Sequence, residues 1–205
     1  MATKPRRDKL ARIVDAALNL SAERGWVAIT LDDIAAAAKL DADEVYRLTP
    51  TKSAVLNAYV RRTDLAVQER QAMAADEEAE ASTHDRLFDV LMRRFEVLQP
   101  DRAALGILCR DLPRDPVSLA AVIPQAHCSF GRMLEAAGVS TKGLRGLARI
   151  HAIAGVWLAT QRTWFSDEGP DMARTMAALD RNLRRMEETA GLVLGIRHTA
   201  KSGEA

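Results

Sequence analysis

The residues best placed to do chemistry lie in the first quarter of the chain. Arg6, Arg7, Lys39, Arg47 and Lys52 are cations able to neutralise phosphates, and the Tyr46 phenol can donate to one. Thr30, Ala42 and Asp43 are placed on the same surface, with Arg61 and Arg62 as possible further phosphate contacts. Asp41, Asp43 and Glu44 stand against Arg47 alone, and −3 + 1 leaves −2 on this short stretch. Carboxylates beside a polyanion are repelled unless they meet a base-edge donor such as the N4 amine of cytosine. Asp41 is discounted because a helix cap uses its oxygen locally. Residues 1–62 hold eleven Lys+Arg and eight Asp+Glu, a surplus of +3 that suits modest phosphate contact.

Elsewhere little chemistry is spaced to act. His127 with Cys128, and His151 further on, form no recognisable metal spacing, and lone histidines among apolar residues are most often core or pocket groups. Cys109 and Cys128 likewise lack a metal pattern and read as cytosolic thiols. A glycine-rich phosphate loop, a nucleophile elbow and a paired-carboxylate signature are all missing. The expectation is a protein that is not an enzyme and uses no cofactor or metal.

The elements that position the cations are helices. Leu10, Ile13, Val14, Ala17 and Leu18 recur at helical spacing and predict a first helix over 8–23, stopped by Gly25. Met1–Arg7 reads as an arm that either touches phosphate or frays in solvent. Thr30 and Asp32 can cap a second helix from Leu31, Lys39-Leu40 breaks it, and Asp41 can cap a third over 42–48. Two short helices joined by a three- or four-residue turn make a helix-turn-helix, whose second helix can enter a DNA major groove.

In that stretch, Ile13-Val-Asp-Ala-Ala-Leu18, Glu23-Arg-Gly25, Ile29-Thr30, Asp33-Ile-Ala35, Ala38, Val45-Tyr-Arg47, Pro50 and Lys52 resemble the N-terminal domain of TetR-type transcriptional regulators. The resemblance implies a three-helix DNA-binding head, an all-helical ligand-binding body and a homodimer. It also implies phosphate contacts for Tyr46 and Lys52. Thr49 departs from the pattern, standing where the family usually has an aromatic residue. Trp164-Phe-Ser-Asp167, Pro170-Asp171, Thr175, Leu179-Asp180 and Leu183 resemble a second family, the lipid-binding accessory protein of ubiquinone biosynthesis. That family implies the same fold with an isoprenoid ligand and no operator reading.

Beyond the head, apolar periodicity predicts helices throughout. One continues over 53–73, and Asp76–Glu80 reads as a solvated break. An amphipathic helix follows from Thr83 to Pro100, then a short one to Asp111, then one from Pro116 that Pro124 should kink. Leu144–Phe165 is a long apolar helix, and another begins at Asp171. The tail from Arg197 is polar and reads as disordered.

The predicted organisation is all-α: a helix-turn-helix head over 1–52, a ligand-binding and dimerisation body over 53–197, and a tail over 198–205. Phe88, Leu91, Phe95 and Ile123 are expected to wall an apolar pocket, joined by His127, Phe130, His151, Trp157 and Met176. The last two long helices should pair with a symmetry mate. At 205 residues with 48% hydrophobic and 28% charged content, the chain can bury a substantial core. No apolar run reaches the roughly 20 residues of a membrane span, and the N-terminus lacks a secretory h-region, so a cytoplasmic location is expected. The leading expectation is a DNA-binding regulator responding to a hydrophobic small molecule, with double-stranded DNA, effector and a second copy as partners. The alternatives are a lipid-binding protein on the same scaffold and an interaction module using the acidic head.

Overall fold

The computed structural model describes residues 4–74 and 81–193, and these form helices joined by short connections. The acidic stretch Asp76–Glu80 and the tail from Arg197 lie outside the described residues. Helix α1 (Lys4–Arg24), α2 (Leu31–Ala38) and α3 (Ala42–Leu48) make the head. Helix α1 begins at Lys4 rather than Asp8, so Arg6 and Arg7 lie in its first turns instead of on a loose arm. Helix α4 (Lys52–Ala74) leaves the head and packs on α5 (Thr83–Leu98) and α7 (Pro116–Ala136). Helix α6 (Arg102–Asp111) packs on α1, while α8 (Gly143–Phe165) pairs with α9 (Ala173–Val193).

Local chemistry explains the short helices. Thr30 accepts from the Asp33 backbone N–H, and Asp33 accepts back from the Thr30 N–H, so two orphan donors are satisfied at once. The Thr30 hydrogen bonds, helped by Arg24, hold the Asp33 carboxyl below its ordinary pKa. Thr30→Ala is expected to lower stability by about 1 kcal/mol, read as a shift in the denaturant midpoint at unchanged slope. Lys39 ends α2 in the left-handed region at φ 52°. The Arg12 guanidinium covers that end, donating to the Ala38 and Lys39 carbonyls at 2.5 and 2.9 Å. A cation at a helix C-terminus complements the macrodipole, so α1 fixes the α2–α3 turn.

One apolar core runs from head to body. In the body it is filled by aromatic rings. Phe95 stacks on Trp157 at 4.2 Å and tilts against Trp164 at 5.5 Å. Leu91 and Phe95 are fully buried, and Trp157 is nearly so. Helix α7 runs through Pro124 as one element, supported by contacts on α4 and α8.

The joint between α8 and α9 is polar. Asp167, buried, accepts from the Thr175 backbone N–H at 2.8 Å and from its hydroxyl at 2.7 Å. Burial pushes the Asp167 pKa up, but the Thr175 bonds outweigh it and the net direction is down. The Trp164–Asp167 and Thr175 part of the second resemblance is thus a structural clasp that sets the start of α9.

Candidate nucleic-acid interface

Helix α3 is seven residues long and has one buried anchor, Val45, at 0% exposure. Seating Val45 inward turns Ala42, Asp43, Tyr46 and Arg47 outward, and all four are exposed. Thr49, in the place of the usual aromatic, is buried and its hydroxyl donates to the Val45 carbonyl at 3.1 Å. The hydroxyl is therefore satisfied without partners from elsewhere in the head.

The acids around α3 are largely occupied. Asp41 accepts from the Asp43 N–H at 2.9 Å and caps the helix. Glu44 leans back onto α1, where the Lys9 ammonium meets it at 2.5 Å. This pairing ties α3 to α1 and takes one carboxylate out of the outward field. Asp43 keeps its side chain outward. The Arg47 guanidinium bends over its own helix, donating to the Asp43 carbonyl at 3.3 Å. The negative charge of Asp32, ahead of burial, raises the Tyr46 phenol above its ordinary pKa.

Lys39 is exposed on the turn, and Thr30 is exposed at the α2 cap. Arg6 and Arg7 are exposed on α1. Lys52 is placed differently from the expected phosphate contact. Its ammonium donates to the Trp26 carbonyl at 2.7 Å and lies 4.7 Å from the Trp26 ring centre. Desolvation lowers its pKa, partly offset by the charge of Asp115. Arg62 is also engaged, with Asp15 at 2.5 Å and over the Tyr59 ring.

Trp26 is the hub between head and body. Its backbone N–H donates to Asp111 at 2.9 Å and its indole N–H to Asp115 at 3.1 Å. Gly25 precedes it at φ 82°, and a β-carbon there would stand 2.8 Å from the Asp111 carboxylate. Glycine is needed on both counts. No local signal in the sequence points to this latch, because Asp111 and Asp115 lie more than eighty residues from Trp26.

The residues expected to wall an effector pocket range from the packed core to the surface. Leu91, Phe95 and Trp157 belong to the packed core, Ile123 and His151 are exposed, and Phe88, His127, Phe130 and Met176 are half-buried. A narrow cavity of about 40 Å³ opens between α4, α5 and α7, edged by Asp64, Gln68, Arg94, Ser129 and Arg132. Among the described residues no group of three or more His, Cys, Asp or Glu side chains is set to hold a metal, and no helix is long and apolar enough to cross a membrane.

Comparison with known proteins agrees with this fold. Residues 13–59 match the model of the bacterial regulatory proteins of the tetR family. No curated protein matches the sequence significantly. A TetR transcriptional regulator from Nitrosomonas europaea ATCC 19718 superposes with TM-score 0.66 at 23% identity, over 87% of this chain and 98% of that one. A putative TetR-family regulator from Syntrophomonas wolfei gives 0.63 at 16% identity, over 93% and 99%. The Thermus thermophilus TetR-family repressor FadR, solved with lauroyl-CoA, gives 0.58 at 21% identity, over 95% and 100%. Residues 13–59 therefore match the head model of the bacterial tetR-family regulatory proteins, and over 87–93% of its length the chain has the fold of solved TetR-type regulators.

Proposed function

We propose that this chain is a non-enzymatic TetR-type transcriptional regulator, using residues 1–52 as a head for double-stranded DNA. One observation carries the reading: α3 buries Val45 and presents Ala42, Asp43, Tyr46 and Arg47 together on its outward side. That is the side a recognition helix turns to the major groove. The Lys9–Glu44 pair and the Asp41 cap weaken the electrostatic objection raised by the sequence. Arg6, Arg7 and Lys39 are then available to phosphates, and Arg47 can swing from the Asp43 carbonyl to a base edge or phosphate. Asp43 has the chemistry to accept from cytosine N4.

The body, from residue 53 on, serves as the dimerisation and effector module. Leu144, Leu147 and Leu158 stand outward on α8 with His151, Gly155 and Ala159, a mostly apolar stripe. The adjoining end of α9 offers Ala173 and Ala177, while its later outward positions are Arg181, Arg184 and Arg185. A seam centred on α8 and closed by the start of α9 would set two heads roughly 34–36 Å apart, one turn of the duplex. The effector is a hydrophobic small molecule, in keeping with the apolar body and with the lauroyl-CoA complex of the Thermus thermophilus repressor. Its occupancy of the body favours one head spacing over another, which couples effector to DNA.

Selection of bound sequences from a random duplex pool, followed by affinity measurements, tests the proposal. Arg47→Ala should cost about 1–3 kcal/mol on the selected site and relax preference at one position. Asp43→Lys should tighten binding to random duplex. Selection that enriches nothing, with both variants indistinguishable from wild type, would remove the assignment.

A further inference from the structure

His127 on α7 and His151 on α8 face one another with ring centres 5.6 Å apart and planes inclined by 59°. Neither belongs to the head, the latch at Trp26 or the polar cluster of the body. Both stand on long helices rather than loops, so their separation is set by the packing of α7 against α8. Two imidazoles sharing one divalent ion at metal–nitrogen distances of about 2.0–2.1 Å have ring centres about 5 Å apart when the angle at the metal is near tetrahedral. The pair is already close to that separation.

The hydrogen bonding prepares one of the rings. His151 Nδ1 lies 2.9 Å from the Leu147 carbonyl oxygen. A carbonyl can only accept, so Nδ1 carries a proton, and in the neutral ring Nε2 keeps its lone pair. A backbone carbonyl holding the non-ligating nitrogen is the arrangement found behind metal-bound histidines, where it fixes tautomer and ring orientation. His127 makes no hydrogen bond to another described residue, and it is half-buried, so its ring is not committed elsewhere. One turn before each histidine stands an exposed aliphatic residue, Ile123 on α7 and Leu147 on α8. These flank the pair with apolar surface.

We propose that His127 and His151 form a two-histidine site for a divalent transition-metal ion of the copper, nickel or zinc class, linking α7 to α8. Imidazole nitrogens suit these ions, and at a nitrogen site affinity rises from nickel to copper. No third side chain of ligating type joins the pair among the described residues, so within one chain water completes the shell, and His151 places the site beside the proposed α8 seam.

The test uses tag-free, chelator-stripped protein titrated with Cu²⁺ and, separately, Ni²⁺ by calorimetry. Copper EPR supplies the number of bound nitrogens. Wild type should bind one equivalent per chain with a two-nitrogen signature. His127→Ala and His151→Ala should each weaken binding about tenfold or more and reduce the nitrogen count, with unchanged helical circular dichroism. Variants that bind as tightly as wild type, or a wild-type affinity weaker than millimolar, would overturn the site.

Discussion

Asp64→Ala is expected to destabilise the protein by about 3–5 kcal/mol. Asp64 on α4 and Arg94 on α5 are both buried, and the guanidinium meets the carboxylate at 2.6 Å. Ser129 and Arg132 of α7 donate to the same carboxylate, so three helices meet at one anion. Removing it leaves the buried Arg94 cation without its counter-charge, stacked only on the Trp157 ring 5.6 Å away. The cost is that uncompensated charge more than the lost attraction. Burial pushes the Asp64 pKa up, but the charge of Arg94 and the bonds from Arg94, Ser129 and Arg132 prevail, and the net direction is down. A carboxyl lowered in the folded state stabilises fully above its unfolded pKa, about 3.9. That contribution fades as pH falls through the lower folded value. Denaturant titrations should show a constant gap between wild type and Asp64→Ala from neutral pH to about pH 5, narrowing only as pH falls below about 4.

Trp26→Ala should cost a similar amount, about 3–5 kcal/mol, for the loss of a buried indole. Trp26 is 1% exposed, and its ring separates Lys52 from the head core. Alanine keeps the backbone N–H that Asp111 accepts, but removes the indole donor to Asp115 and the surface beneath Lys52. Trp26→Phe keeps the packing and loses only the indole hydrogen bond, so its cost should be nearer 1 kcal/mol. Chemical denaturation of both variants separates packing from hydrogen bonding. Equal losses would show that the Trp26–Asp115 bond, and not the buried ring, holds head to body.

How much of this was legible in the sequence depends on the range of the interaction. The bounds of α2 and α3 could be read because Thr30, Asp33 and Asp41 act within three residues of themselves. The all-α class followed from apolar spacing repeated over most of the chain. Glu44 could not be understood locally, because its partner Lys9 lies thirty-five residues away. Lys52 was expected to face phosphate and instead meets the Trp26 carbonyl, a contact that exists only once α4 is docked. Asp64, Arg94 and Arg132 carry no periodic signal at all. Apolar spacing marked Leu91, Phe95 and Trp157 as inward-facing, but spacing alone cannot distinguish the wall of a cavity from a filled core. Pro124 forfeits one backbone hydrogen bond, and the neighbours of α7 sustain the helix nonetheless.

The central claim is that the outward side of α3 meets a polyanion, and the salt dependence of binding to random duplex DNA addresses it most directly. Arg6, Arg7, Lys39 and Arg47 give four candidate phosphate contacts per head. Engagement of even half of those in a dimer predicts a slope of log K against log salt of about −3.5 between roughly 50 and 200 mM. Arg47→Glu should flatten it. A wild-type slope near zero, or no binding at the lowest salt, would contradict the account.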